Sequence, residues 1–140
     1  MSFIDDMQQG YTVERLLNTP WLIGGIYGVS DERMTPAVVL DVTKFTQATH
    51  YPNNRVMVPG VVLGKITATG KYGPYDPNAS DGRQTATGFL LSPSILVPAA
   101  TEAQSRILLS GFVQPAYLPA ASGLDAAART ALRNIVFLDV

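Results

Sequence analysis

The sequence predicts a compact, mainly β single domain with one or two short helices and an extended N-terminal arm. Strand-length runs of β-branched and aliphatic residues recur along the chain and are separated by turns rich in Gly and Pro. Only one stretch, near the C-terminus, has apolar residues at helical spacing. A length of 140 residues suggests one domain, which is large enough to bury a core without disulfides or metals.

Composition limits the kinds of partner. Charged residues make up 15% of the chain, against about 25% in an average protein, and hydrophobic residues make up 46%. A surface so short of charge is typical of a protein that its partners partly cover. The net charge is −1 and the ten basic residues are scattered, so we expect no nucleic-acid partner, which requires a clustered basic surface. The absence of cysteine excludes a disulfide framework and thiol catalysis.

The sequence predicts neither a signal peptide nor a membrane span. The first ten residues contain two acids and no base, unlike the start of a secretory signal. The longest apolar run, residues 21–29, is shorter than the stretch of about 20 apolar residues that crosses a bilayer. We therefore expect no membrane partner.

Residues 1–20 are predicted to form the arm. Their apolar residues are spaced irregularly, although Thr12 is placed to cap a short helical turn that ends before Pro20. Burying one Leu or Phe stabilises a protein by about 1.5–3 kcal/mol, so several exposed ones would be costly in a solitary monomer. Two interpretations stay open: the arm docks on its own domain, or it becomes ordered on another subunit.

Two strands are predicted after the arm, at residues 21–29 and 35–42, and a loop that contains the only histidine follows at 43–55. The expected organisation is an N-terminal arm and strand-like extension over residues 1–57. A β domain over residues 58–140 follows it and closes with a helix and a strand.

Residues 60–91 organise the predicted β domain. Strands are expected at 61–69 and 84–91, because residues such as Val61, Val62 and Ile66 suit a half-buried pleated surface. The Gly, Pro, Asn and Asp residues between these strands predict tight turns and an exposed loop. Residues 71–75 interrupt the turns with one short extended piece.

The C-terminal third is predicted to add further regular elements: a strand at 106–113, an extended segment at 114–119, a helix at 123–133 and a strand at 135–140. Asp125 lies three residues after Ser122, in the spacing of a capping box. The helix has a single apolar face, which is formed by Leu124, Ala128, Ala131 and Leu132.

One loop has partial spacing for calcium. Asp76, Asn78 and Ser80 alternate as in a calcium loop, but the positions that require Gly and Glu hold Asp81 and Thr87. The same residues suit a turn in which Asp76 or Asn78 accepts hydrogen bonds from its own backbone. We therefore expect an Asx-stabilised turn and no metal.

Other chemical motifs are also incomplete. The run from Gly60 to Lys65 is one residue short of phosphate-loop spacing and lacks the following Ser or Thr. His50, the only histidine, lies in a polar loop, and no nucleophile-elbow motif exists for it to serve. We expect no enzyme activity and no cofactor.

Residues 60–91, GVVLGKITATGKYGPYDPNASDGRQTATGFLL, also carry a family resemblance. They resemble the head decoration proteins of tailed bacteriophages, the group typified by the lambda head protein D. The resemblance is specific from about residue 58 to residue 91 and continues more loosely to residue 140. The first fifty residues or so carry no such resemblance.

The resemblance implies a fold of the β-clip or β-tulip type and a homotrimer. It implies that the major capsid protein is the partner and that the trimers sit at local threefold positions on the outside of the expanded head. The protein would be made in the bacterial host cytoplasm and would end in the virion, where it cements the capsid against the pressure of packaged DNA.

The resemblance further implies that the arm reaches capsid protein, where it adds to a sheet edge through main-chain hydrogen bonds. No motif fixes the contact residues, so the prediction rests on the apolar residues of the arm. The predicted capsid-binding residues are Phe3, Ile4, Tyr11, Val13, Leu16, Leu17 and Trp21.

Two other function classes stay open from the residues alone. A small trimeric β-rich enzyme should show Asp, Ser, Arg and Gln clustered in motif order. A small-ligand-binding barrel should show several aromatic residues on one face. The sequence shows neither pattern, and the family resemblance favours the structural role.

Overall fold

A closed barrel of five strands forms the centre of the structure, a computed structural model that describes residues 21–22, 35–51, 56–91, 96 and 100–139. Its strands are β1 (Ala37–Asp41), β2 (Val62–Lys65), β3 (Tyr72–Pro74), β4 (Ala86–Leu90) and β5 (Glu102–Leu108). They follow the order β1-β3-β2-β4-β5, in which only the contact of β1 with β3 is parallel. β1 therefore closes the barrel between β5 and β3.

β2 and β3 form a hairpin within the stretch that organises the predicted domain. β2 ends at Lys65, earlier than the predicted strand end at 69, because residues 67–69 turn and Gly70 takes a φ of 74°. The Gly70 N–H donates to the Ile66 carbonyl at 2.8 Å, which closes the turn. The short extended piece predicted at 71–75 is β3, so that prediction is confirmed.

The segment predicted as a loop at 43–55 contains two helical turns, and that prediction was wrong for its first half. A 3₁₀ helix covers Val42–Lys44, and the helix α1 covers Gln47–His50. The carboxylate of Asp41 accepts the Thr43 N–H at 3.1 Å and so caps the first of these turns. Short capped turns of this kind have too few residues to show a helical period.

β5 begins earlier than the strand predicted at 106–113. Ala103, Ser105 and Ile107 are buried, whereas the residues between them, such as Glu102 and Gln104, are exposed. Because these alternate residues are polar, the start of the strand lies outside the apolar alternation from Ile107 and Leu109 onward, on which the prediction rested. The predicted strand is also interrupted at residues 109–110, and its second half is a separate strand, β6 (Gly111–Val113).

β6 pairs in parallel with β7 (Ile135–Phe137) to make a two-stranded sheet outside the barrel. Leu22 forms an antiparallel bridge with Val113 on this sheet. The main chain of Trp21 also accepts the Gln114 N–H at 2.6 Å. Residues near the start of the chain are thus paired with its C-terminal third.

Helix α2 covers Ala126–Ala131, which is shorter than the predicted 123–133. It begins after Asp125, whose Oδ1 accepts the Ala128 N–H at 2.8 Å, so Asp125 itself is the N-cap. The predicted capping box, which would begin at Ser122, was wrong, because Ser122 lies in a separate 3₁₀ turn. Gly123 has a φ of 74° and therefore lies outside the helix. At the other end, the Leu132 N–H donates to the Ala128 carbonyl.

Two hydrophobic cores lie on the two faces of the barrel wall. Adjacent residues of one strand divide between them: Val62 and Phe89 belong to one core, and Leu63 and Leu90 to the other. The core inside the barrel, here called the barrel core, contains Leu40, Val42, Phe45, Met57, Val61, Leu63, Leu90, Leu96, Ala103 and Ile107. The outer core contains Trp21, Leu22, Val62, Tyr75, Ala86, Phe89, Leu91, Leu108, Val113, Ala128, Leu132 and Ile135.

The outer layer, defined as residues 21–22, β6, α2 and β7, covers the barrel over the outer core. The mainly β fold class with two short helices is confirmed. β1, which we assigned to the N-terminal extension, pairs with β5 over five residues and is a wall of the barrel. In the described ranges, none of the helices has the length and apolar content for a bilayer crossing.

Candidate functional site

The loop at residues 76–85 joins β3 to β4 on the barrel surface and lies within the stretch that carries the family resemblance. Asp76 Oδ1 accepts the Asn78 N–H at 2.9 Å, and its main-chain carbonyl accepts the Ala79 N–H at 3.0 Å. This is the Asx-stabilised turn predicted from the sequence. The carboxylate that looked like a calcium ligand is therefore engaged in holding its own turn.

The second half of the loop is tied to the barrel. Arg83 Nε donates to Asp81 Oδ2 at 3.0 Å, and this hydrogen bond lowers the pKa of the Asp81 carboxyl. The Thr67 N–H donates to the Asp81 carbonyl at 2.9 Å, and the Asp76 N–H donates to the Arg83 carbonyl at 3.1 Å. The loop is thus joined both to the β2–β3 turn and to itself.

Glycines allow the loop to approach the barrel closely. At Gly82, where φ is 115°, a side chain would overlap the main-chain carbonyl of Lys65. At Gly64 in β2, a Cβ atom would lie 2.7 Å from the Cα of Arg83. Because both sides of the contact are backbone, neither can yield without moving the loop. The 76–85 loop is therefore a rigid, solvent-facing surface.

Tyr75 joins this region to the outer layer. Its hydroxyl donates to Asp125, at 3.0 Å from Oδ1 and 3.1 Å from Oδ2. Burial raises the pKa of Tyr75, and the hydrogen bond to Asp125 raises it further. Because Asp125 also caps α2, one carboxylate links the start of the loop to the helix, across 50 residues of sequence.

Exposed apolar side chains lie on the outer layer. Phe112 and Val136 face each other across β6 and β7, and their exposed fractions are 52% and 47%. Tyr117, in the 3₁₀ helix Pro115–Tyr117 after β6, is 57% exposed. Sequence reasoning missed this pair, since strands of three residues are too short for alternation to show which face is outward. Surfaces of this kind suit contact with another protein.

The capsid-binding residues predicted from the sequence fall into two groups. Trp21 is 1% exposed and lies in the outer core, where its ring centroid is 5.4 Å from that of Phe89. Its side chain is therefore used within its own domain. The other six residues lie outside the described part of the chain: Phe3, Ile4, Tyr11, Val13, Leu16 and Leu17.

His50 has a local structural role. Its Nδ1 accepts the Thr46 N–H at 2.9 Å, and its ring meets the edge of Phe45 at a centroid distance of 5.3 Å. Burial lowers the pKa of His50, which keeps the ring neutral near pH 7. Across the described residues, no three His, Cys, Asp or Glu side chains come together as a metal site would require.

The barrel interior is filled by its own side chains. Leu40, Leu63 and Ile107 have no exposed surface and meet in the barrel core. A small-ligand-binding barrel needs an interior cavity, whereas the described residues of this interior are buried against one another. The surfaces that face outward, at the 76–85 loop and at Phe112 and Val136, are suited to binding another protein.

Comparison with known families agrees with this interpretation. The family described as Bacteriophage lambda head decoration protein D matches residues 35–134, which are 100 of the 140 residues. The match includes all five barrel strands, the 76–85 loop and helix α2. A search among curated individual proteins finds no match. The match covers well over half of the chain, and the protein therefore belongs to the bacteriophage lambda head decoration protein D family.

Proposed function

We propose that this protein binds the outside of the expanded phage head as a trimer at local threefold positions and stabilises the shell against the pressure of packaged DNA. The observation that carries the proposal is the family match over residues 35–134. Membership makes this a head decoration protein with a capsid partner. The trimer, its position and its stabilising effect are the parts that we propose.

The N-terminal arm is the proposed main contact with the major capsid protein. Trp21 is held in the outer core and Leu22 is bridged to Val113, so the chain is anchored where the arm joins the domain. Because the arm is fixed at its junction with the domain, it has less conformational entropy to lose on binding. The contacts themselves are assigned to Phe3, Ile4, Tyr11, Val13, Leu16 and Leu17.

The exposed pair on the outer layer supports association through surface burial. Burial of Phe112 and Val136 in an interface would stabilise the complex, since apolar area removed from water contributes about 25 cal/mol per Å². We assign this pair to contacts between copies within the trimer. Replacement of Phe112 with Glu should then weaken the trimer, as measured by sedimentation velocity, whereas Tyr117→Glu on the neighbouring turn should leave it unchanged.

The proposed mechanism involves no reaction. A ligand stabilises one of two states only when it binds that state more tightly. The protein should therefore bind the expanded shell better than the unexpanded one. Three arms on one trimer raise the local concentration of each contact, so modest individual contacts give firm attachment.

Co-sedimentation with purified shells tests the proposal. The full chain is mixed with expanded and with unexpanded shells of its phage, and bound protein is measured on gels and located by electron microscopy. We expect saturable binding to expanded shells, with new protrusions at threefold positions. Absence of binding to either shell would overturn the proposal, and equal binding to both would remove its stabilising mechanism.

Removal of residues 1–17 tests the arm separately, because it leaves Trp21 and its anchor in place. We expect the shortened chain to keep its unfolding midpoint and to lose at least about tenfold in capsid affinity, the equivalent of one buried apolar residue. A matched control removes residues 1–2 only. Unchanged capsid affinity of the shortened chain would show that the arm is not the main contact.

A further inference from the structure

An open groove runs beside the first half of β1. It lies between residues 37–39 of β1 and the β2–β3 turn at residues 69–71, and its volume is about 610 Å³. The groove exists because β3 reaches β1 at one position only, the pair Leu40 and Tyr72, before the chain turns away at Gly70. The first residues of β1 therefore have β5 on one side and the groove on the other.

The register of β1 shows which main-chain groups face this groove. The Val42 N–H donates to the Thr101 carbonyl, and the Pro36 carbonyl accepts the Ile107 N–H. In an antiparallel pair, alternate residues exchange hydrogen bonds with the partner and the residues between them point away. The even-numbered residues of β1 therefore bond to β5, and the odd-numbered Ala37 and Val39 direct their main-chain groups to the other side.

Part of this edge is beyond the reach of β3. The Val39 carbonyl lies next to the Leu40 and Tyr72 pair, but the Ala37 N–H, the Ala37 carbonyl and the Val39 N–H lie along the open groove. Two donors and one acceptor in this spacing match the edge of an extended polypeptide. Natural proteins usually cover or charge such an edge, because it pairs readily with another chain.

The side chains of the groove favour an uncharged, apolar segment. Val38, Val39 and Tyr72 line it, and its one cation, Lys71, forms an ion pair with Glu102. Because β1 lies between β3 and β5, this ion pair crosses over β1 and closes one end of the groove. The lining charges thus neutralise each other, and a charged ligand would find no unpaired partner among them.

We propose that the β1 edge in this groove binds an extended, uncharged segment of the capsid shell protein by strand addition. The inference rests on the proposed function, since the capsid is the partner that family membership supplies. The capsid would then contact this edge of the barrel in addition to the N-terminal arm. Three residues of β1 take a segment of three to four residues, roughly 10–13 Å long.

Two occupants from this chain fit less well. Trp21, where the arm joins the domain, packs on Phe89 of β4, and β4 is the strand opposite the β1–β3 contact in the barrel. The arm of the same copy therefore starts on the far wall. A second copy that used its own identical edge would give a twofold pair, which does not extend to a trimer.

Val39→Pro is the direct test, because it deletes the Val39 N–H without removing a hydrogen bond to β5. The matched control is Val39→Thr, which keeps the N–H and the branched shape. We expect Val39→Pro to bind expanded shells at least about fivefold more weakly than the wild type, the equivalent of one hydrogen bond. Val39→Thr should bind like the wild type, and both variants should remain monodisperse and folded by circular dichroism.

Hydrogen exchange on the unaltered protein keeps the test independent of the variants. In the free protein the amides of Ala37 and Val39 should exchange much faster than those of Val38 and Leu40, which bond to β5. On expanded shells Ala37 and Val39 should become protected. Slow exchange of the Ala37 and Val39 amides in the free protein, or no slowing of their exchange on the shell, would overturn the inference.

The outcomes separate this inference from the proposed function. If the wild type and Val39→Pro bind expanded shells equally tightly, the proposal that the groove binds the capsid is overturned. The decoration role would be unaffected. If Val39→Pro changes the oligomeric state and leaves the capsid affinity unchanged, the β1 edge binds a second copy of this chain. That result would overturn the proposal that it binds a capsid segment. If the wild type binds neither shell, the proposed function itself fails.

Discussion

The barrel core and the outer core are built from the same strands but by different means. The barrel core is largely aliphatic, and half of its buried residues lie on the barrel strands, whereas the others lie on the segments between them. The outer core contains Trp21, Phe89 and Tyr75 and brings residues near the start of the chain against the C-terminal strand and helix. The barrel core therefore makes the scaffold, whereas the outer core joins distant segments and presents exposed side chains above it.

The two cores support two different surfaces for binding a partner. A surface that binds a partner needs exposed side chains. Phe112 and Val136 are exposed on strands whose Val113 and Ile135 are buried. On the opposite side of the barrel, β1 offers main-chain groups beside a groove that Val38, Val39 and Tyr72 line. One protein domain thus has two chemically different surfaces, and each depends on one of the cores for support.

The largest expected effect tests whether the outer core is essential to the fold. Phe89 is fully buried between Trp21 and Phe137, with ring centroids 5.4 Å and 6.2 Å away. Phe89→Ala should lower the free energy of unfolding by about 3–5 kcal/mol. Denaturant unfolding followed by tryptophan fluorescence measures this, since Trp21 is the only tryptophan.

The matched control is Phe112→Ala, which removes a phenylalanine that is 52% exposed. Its cost to the unfolding free energy of the monomer should stay near 1 kcal/mol or less, because most of the ring's surface is in water in the single chain. A similar loss of unfolding free energy in both variants would mean that the outer core is not tightly packed. The distinction drawn between the two cores would then be wrong.

The next effect concerns the 76–85 loop on the barrel side. Gly82→Ala should destabilise the protein by about 1–3 kcal/mol from its backbone conformation alone, and by more because the new Cβ would overlap the Lys65 carbonyl. Gly70→Ala is the control: its φ is also positive, but nothing lies within 4 Å of a Cβ there. Thermal unfolding of the two variants should therefore separate strain from overlap, and equal losses would show that the loop is not held against β2.

The tie between the barrel loop and the outer layer should have an intermediate effect. Tyr75→Phe removes the hydroxyl that donates to Asp125 and should cost about 1.5–3 kcal/mol, as expected for a partly buried hydrogen bond to a charged group. Tyr117→Phe removes a hydroxyl from an exposed side chain and should change stability by less than about 0.5 kcal/mol. Chemical denaturation measures both, and a neutral Tyr75→Phe would contradict the proposed link.

The smallest effect is a pH dependence on the barrel side. Burial lowers the pKa of His50 in the folded protein below its ordinary value of 6.5. The unfolded chain then binds the proton more tightly, so the contribution of His50 to stability is complete above pH 6.5 and is lost as pH falls towards the lowered pKa. The unfolding midpoint should drop between pH 7 and pH 5 by more in the wild type than in His50→Gln. Identical pH profiles would show that His50 does not titrate differently on folding.

Several features could be predicted from local sequence because short-range physics determines them. The hairpin between β2 and β3 and the Asx turn at Asp76 each depend on residues within a few positions of one another. The early start of β5 was missed because its polar residues alternate with small buried ones. The turns at residues 42–50 were missed because they are too short to show a period.

The mainly β class, the central turns and, through residues 58–91, the decoration family could all be predicted from the sequence alone. The folded structure was needed to show that β1 closes the barrel, that Trp21 is buried against Phe89, and that Phe112 and Val136 are exposed. The physical reason is range. Turns and caps are set by neighbouring residues, whereas burial and strand edges depend on which distant segments come together in the folded chain.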